Sequence, residues 1–88
     1  MIKKTATNHD FNRQCIIVTG GAQGIGGAVT HRLVASNAVV AVWDIDAEAR
    51  TQIKEKLGGS VETFDADISN EASVSAALAS TVNWSGAV

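Results

Sequence analysis

Thr19-Gly20-Gly21-Ala22-Gln23-Gly24-Ile25-Gly26 follows directly on the apolar run Cys15-Ile16-Ile17-Val18. A buried strand that turns through glycines into a helix presents backbone N–H groups, and the positive end of a helix dipole, to a phosphate. Glycines at 20, 24 and 26 give the spacing G-x-x-x-G-x-G. That differs from G-x-G-x-x-G, and it lacks the Gly-Lys-Ser/Thr ending of a nucleotide-hydrolysing P-loop. Gly20 reads as the tight turn out of the strand and Gly24 as a place where backbone approaches phosphate without a Cβ. Gly26 reads as the point where the helix packs closely on the sheet. The chemistry is the seating of a dinucleotide pyrophosphate; the plainer alternative is an ordinary glycine-rich turn.

Two acids extend this pattern. Asp44 lies eighteen positions after Gly26, at the end of the second apolar run Val39-Val40-Ala41-Val42-Trp43. An acid about 20 residues past the glycines, at a strand end, is placed to accept hydrogen bonds from an adenosine ribose. A 2′-phosphate would meet that carboxylate and be repelled, and no Arg or Lys stands at Gln23, Ile45 or Asp46 to attract it. NAD is therefore favoured over NADP. Asp65-Ala66-Asp67-Ile68-Ser69 ends a third strand, where a carboxylate can reach an adenine amino group. Asp-x-Ser is also a common helix-capping sequence, so Asp67 alternatively serves the next helix.

The elements that must position these residues alternate. Arg13 to Thr19 reads as a strand apolar on both faces, and Gln23 to Ser36 as a helix with Ile25, Ala28, Val29 and Leu33 on one stripe. Asn37 tolerates the left-handed conformation that ends such a helix. Val39 to Trp43 is the second strand. Asp46 caps a helix running to about Leu57, stopped by Gly58-Gly59, with Glu48, Arg50, Lys54, Glu55 and Lys56 on its wet face. Val61 to Ala66 is a third, less apolar strand nearer the sheet edge. Ser69 or Asn70 caps a third helix whose apolar positions include Val74, Ala77, Leu78 and Val82. Residues 83–88 are left unassigned. The order β-α-β-α-β-α with brief connections predicts parallel strands with helices on the sheet faces.

Bulk properties narrow the function classes. Eighty-eight residues make at most one small domain, of which Met1 to Asn12 reads as a polar arm with Phe11 against the first strand. Net charge is −2, with no basic stripe for a nucleic-acid surface. The single cysteine, Cys15, excludes an internal disulfide and reads as a core thiol; no Cys/His cluster has zinc spacing. Thr5 to Gln14 is polar where an export signal would be apolar, and no run approaches the length that spans a bilayer. No membrane partner and a cytoplasmic location are expected. His9 has no acid or nucleophile at a telling spacing, His31 reads as solvated or capping, and Trp43 either packs at its strand end or walls an adenine pocket.

Thr-Gly-x-x-x-Gly-Ile-Gly at 19–26, an acid ending the second strand and Asp-Ile-Ser at 67–69 together resemble the short-chain dehydrogenase/reductase family. The likeness covers about Gln14 to Val82. It implies an α/β fold: the N-terminal half of a doubly wound parallel Rossmann sheet, strand order 3-2-1. Residues 13–88 would be a partial dinucleotide-binding domain that stops before a fourth strand. It implies that Gly20, Gln23, Gly24, Ile25 and Gly26 surround the pyrophosphate and adjoining ribose. Asp44 and Ile45 would bound the adenosine ribose, and Asp67 and Ile68 would flank the adenine. The family's Asn-Asn-Ala-Gly motif, catalytic Ser and Tyr-x-x-x-Lys pair have no counterpart here, and the chain contains no tyrosine. No catalytic residue and no metal ligand is therefore assigned. The resemblance implies an NAD-dependent oxidoreductase of secondary alcohols and ketones, homo-oligomeric when complete, with this chain alone inactive. A non-catalytic nucleotide-binding module, or a fragment that pairs through the open edge Ile16-Ile17-Val18, are the other readings.

Overall fold

The computed structural model describes residues 14–86. The expected N-terminal arm, Phe11, His9 and Arg13 lie outside the described residues. Within them the order is β1 (Cys15–Thr19), α1 (Gly24–Ala35), β2 (Val39–Trp43), α2 (Ala47–Leu57), a 3-10 turn (Gly58–Ser60), β3 (Val61–Phe64) and α3 (Glu71–Ser85). The three strands form one parallel sheet in the order β1-β2-β3. Cys15 pairs with Val39 and Thr19 with Trp43, while Val40 pairs with Val61 and Trp43 with Phe64. β3 is shorter than the expected strand, because beyond Phe64 only its carbonyl continues the ladder, accepting from the Asp44 amide at 3.1 Å.

β2 is the centre of the molecule, and its alternation builds two cores. Val40 and Val42 face one side with Ala22, Ala38, Ala49, Ile53 and Val61, against which Leu33, Val34 and Leu57 pack. Ala41 and Trp43 face the other side with Ala66 and Ala77, joined by Phe64, Val74 and Trp84. Helices α1 and α2 therefore cover one face of the sheet and α3 the other. A strand buried on both faces reads as a continuous apolar run for this reason. Cys15 is half-buried against the second core, in keeping with a packing thiol.

The buried stripes of α1 and α3 differ from the apolar positions read in the sequence. On α1, Ile25 is 87% exposed and Val29 43%, whereas the buried residues are Gly27 and Thr30. Only Leu33 of the expected stripe packs on the core. The cause is size: where helix and loop backbones come close, small residues fit and large apolar ones turn outward. On α3, Leu78 and Val82 are exposed, and the inner face is Val74, Ala77, Thr81 and Trp84. Thr81 is fully buried because its hydroxyl accepts from Trp43 Nε1 at 3.0 Å and donates to the Ala77 carbonyl at 2.7 Å. Trp84 meets Phe64 at a ring-centroid distance of 6.1 Å, tilted by 60°.

Helix ends account for the rest. Asn37 takes φ 72°, as expected of the residue that ends α1. Asn70, rather than Ser69, caps α3: its side chain accepts from the Ser73 amide at 2.9 Å. The residues left unassigned at the C-terminus continue α3 to Ser85, where Gly86 closes it in the left-handed region. On α2 the lysine read as solvated is half-buried: Lys54 Nζ donates to the Val61 carbonyl and lies 3.8 Å from Glu62.

Replacing Thr81 by Val keeps the shape but leaves the Trp43 N–H buried without its acceptor. The loss expected is about 1–3 kcal/mol, read as a lower urea midpoint. Adding Trp43→Phe to Thr81→Val removes the orphaned donor, so the double variant should lose less than the two single costs added together.

Candidate cofactor-binding site

The glycine loop is held by contacts that its spacing alone does not reveal. Gly20 continues the β1 ladder, donating to the Trp43 carbonyl at 2.7 Å, and turns the chain at φ 65°. A Cβ on Gly26 would stand 2.0 Å from the Gly20 carbonyl oxygen. Gly26 is therefore demanded where the first turn of α1 closes on the residue that extends β1, a narrower place than the sheet as a whole. Gly24, at φ 60°, has nothing within 4 Å of where a Cβ would lie. The backbone there is bare and open, as an approach to phosphate requires.

Two residues that sequence reasoning missed complete the loop. A Cβ on Gly21 would meet the Val18 carbonyl at 2.8 Å and Thr30 Oγ1 at 3.0 Å. Thr30 is fully buried, and its hydroxyl lies 2.9 Å from the Gly21 carbonyl and 3.0 Å from the Gly26 carbonyl. The signal was present as two adjacent glycines and a threonine four positions past Gly26. Hydropathy periodicity passes over both residue types.

Helix α1 enters without a side-chain cap: Gln23 stands at the cap position with no capping bond, and the first turn carries no acid. The other two helices are capped by Asp46 and Asn70 and carry Glu48 and Glu71 in their first turns. Gln23 instead reaches across to Asp46, Nε2 to Oδ2 at 3.3 Å.

Asp44 is buried, with both carboxylate oxygens engaged by backbone. Oδ2 accepts from the Ala22 amide at 3.2 Å and Oδ1 from the Asp46 amide at 3.0 Å. A carboxylate offers about four acceptor directions, so two remain for another donor. Beside it, Thr19, Gly20, Trp43, Ile45, Ala66, Asp67 and Ile68 line an open cleft of about 270 Å³. Five of the nine residues singled out from the sequence meet there: Gly20, Asp44, Ile45, Asp67 and Ile68. Gln23 and Gly24 face a second depression between α1 and α2, and Ile25 projects into solvent. Ile45 and Ile68 are about two-thirds exposed, leaving apolar surface on the cleft rim. Trp43 both packs at its strand end and lines this cleft.

Asp67 has local partners: Oδ1 accepts from the Ser69 amide at 3.0 Å and the Ser69 hydroxyl at 2.6 Å. The Ser69 hydroxyl, with its amide, holds the Asp67 carboxyl below the ordinary carboxylate range. The Ala49 amide does the same for Asp46 at the head of α2; partial burial opposes that lowering and Gln23 adds to it. Among the described residues, no group of three or more His, Cys, Asp or Glu is placed to hold a metal. None of the described helices is long and apolar enough to cross a membrane.

Residues 14–88 match the family model described as short chain dehydrogenase. The chain belongs to the short-chain dehydrogenase family. It is 45% identical over 73 residues to the 2,5-dichloro-2,5-cyclohexadiene-1,4-diol dehydrogenase of Sphingobium indicum, an alignment covering 83% of this chain and 29% of that protein. To the 2-dehydro-3-deoxy-L-rhamnonate dehydrogenase (NAD(+)) of a Sphingomonas species it is 36% identical, covering 73% of this chain and 25% of the relative. Among solved structures, the 3-ketoacyl-(acyl-carrier-protein) reductase of Brucella melitensis, complexed with NADH, superimposes with a TM-score of 0.80 at 27% identity. That match covers 83% of this chain and 30% of the reductase. This short-chain dehydrogenase sequence thus spans less than a third of each of these three proteins.

Gly26→Ala should cost at least about 2 kcal/mol, because its methyl would overlap a carbonyl that cannot move alone. Gly24→Ala, strained only by its φ, should cost about 1–2 kcal/mol. Chemical denaturation of the two variants separates the effects. Asp46 and Asp67 both have a folded-state pKa below the unfolded one. The support that Asp46 gives the start of α2, and Asp67 the turn before α3, is therefore present above the unfolded value and lost as pH falls through the folded one. Amide shifts of Ala49 and Ser69 should titrate with midpoints below the ordinary carboxylate range.

Proposed function

We propose that this chain is the cofactor-binding portion of an NAD-dependent oxidoreductase that interconverts a secondary alcohol and a ketone. The observation that carries the reading is the place of Asp44. Its carboxylate stands at the C-terminal end of the central strand, at the wall of a cleft that also holds Gly20 and Asp67. In open parallel sheets, ligands bind in the crevice outside the strand C-termini. Two acceptor directions on Asp44 suit the two hydroxyls of an adenosine ribose, and its charge opposes a 2′-phosphate.

The loop fits the other half of the ligand. α1 alone lacks both a side-chain cap and a first-turn acid, so no side chain occupies its first-turn N–H groups, as a pyrophosphate needs. In this reading Gly20, Gln23, Gly24, Ile25 and Gly26 surround the pyrophosphate and neighbouring ribose. Asp44 and Ile45 bound the adenosine ribose, and Asp67 and Ile68 flank the adenine. The names of the Sphingomonas dehydrogenase and of the NADH-bound reductase support NAD as the partner.

When bound, the nicotinamide accepts or gives the hydride. The residues of this chain hold and orient the adenosine half. The chain contains no tyrosine, so the proton-handling Tyr-x-x-x-Lys pair is assigned to sequence outside these 88 residues. The 88-residue chain by itself should show no turnover.

Wild-type protein should bind NADH more tightly than NADPH in a fluorescence titration. Asp44→Arg should reverse that order or bring the two within about twofold, by removing the repulsion and adding a cation. Unchanged selectivity would contradict the role given to Asp44.

A further inference from the structure

The Gly21 carbonyl and the Ala22 N–H belong to one peptide group, and that group is gripped at both ends. Thr30 Oγ1 lies 2.9 Å from the carbonyl oxygen, and Asp44 Oδ2 accepts from the N–H at 3.2 Å. Both side chains are buried, and they come from different elements, one from α1 and one from the end of β2. The contact between Thr30 and Gly26 is the ordinary backward bond of a helical threonine, four residues apart. The contact with Gly21, nine residues away, is not local. It needs glycine at position 21, since a Cβ there would stand 3.0 Å from the hydroxyl oxygen.

The Thr30 hydroxyl shares its one proton between the Gly26 and Gly21 carbonyls, and the peptide that carries the Gly21 carbonyl donates its N–H to a carboxylate, so the two bonds polarise and strengthen each other. The peptide between the turn glycine and the helix entry thereby has one orientation. Everything that would face a pyrophosphate, from Gly20 to the first turn of α1, is connected through it.

We propose that Thr30, though remote from solvent, is a positioning residue for the dinucleotide pyrophosphate. Together with Asp44 it locks the Gly21–Ala22 peptide and so holds the loop ready before the ligand arrives. This rests on the dinucleotide reading above. A preorganised donor set spares the ligand the ordering that a loose loop would require. Thr30 touches no ligand itself; Asp44 carries both the lock and the ribose contact.

The test compares Thr30→Val, which has the same shape but no hydroxyl, with Thr30→Ser, which keeps it. NADH, ADP-ribose and adenosine are titrated against each, with circular dichroism as a check on folding. Thr30→Val should weaken NADH and ADP-ribose by about tenfold, the value of one buried hydrogen bond, and adenosine by twofold or less. Thr30→Ser should bind all three as wild type does. Hydrogen exchange at the Ala22 amide should be at least about tenfold faster in Thr30→Val, since the lock is then half undone. Folded Thr30→Val that binds NADH like wild type, or loses adenosine equally, overturns the role of Thr30 and leaves the dinucleotide reading standing. Wild-type protein that binds neither NADH nor NADPH overturns the dinucleotide reading and this proposal with it.

Discussion

The carbonyl of Gly20 lies where a side chain on Gly26 would have to be, and this near contact governs the arrangement of the whole site. It brings the first turn of α1 back over the end of β1. Because the Gly20 amide still belongs to the sheet ladder, through the Trp43 carbonyl, the helix entry is tied to the end of β2 as well. The loop is thus not a flexible cover laid over a finished sheet. It is the last rung of that sheet, bent by glycine and then pressed against a helix.

β2 transmits this placement to the rest of the molecule. Its side chains alternate between the layer of α1 and α2 and the layer of α3, so one short strand organises both cores. At its end the same alternation sets Trp43 on the α3 side, held by Thr81, and Asp44 turned back toward the loop. Trp43 and Asp44, two of the residues that line the cleft, are therefore neighbours in sequence held from opposite faces. Neither can shift without disturbing a buried hydrogen bond.

Charge is distributed to match. Helices α2 and α3 satisfy their own positive ends with Asp46, Asn70 and first-turn glutamates, and hydrogen bonds from Ala49 and Ser69 keep Asp46 and Asp67 ionised to lower pH than usual. α1 has neither a side-chain cap nor a first-turn acid, and Asp44 accepts from the Ala22 amide before the helix begins. Of the three helix starts at this end of the sheet, the one built on glycines is the one without a side-chain cap or a first-turn acid.

Much of this was legible in the residues themselves. The alternation of elements, the continuous burial of Val40 to Trp43, the turn at Gly20, the left-handed Asn37 and the family all follow from local pattern and spacing. Asp44 was legible as a candidate because its distance from the glycines is set by the length of one helix. The inner faces of α1 and α3 were not legible: Gly27, Thr30 and Thr81 are chosen for size and for hydrogen bonds to distant groups, which hydropathy does not register. Nor were the partners of Asp44, since the Ala22 amide that it accepts from is 22 residues earlier in the chain. The sequence by itself determined which segments become strands and helices and which residues are acids and glycines, because those depend on neighbours a few positions away. Only the tertiary structure decided which backbone groups those acids and hydroxyls hold, because close approach of separate segments creates the buried polar groups that must then be paired.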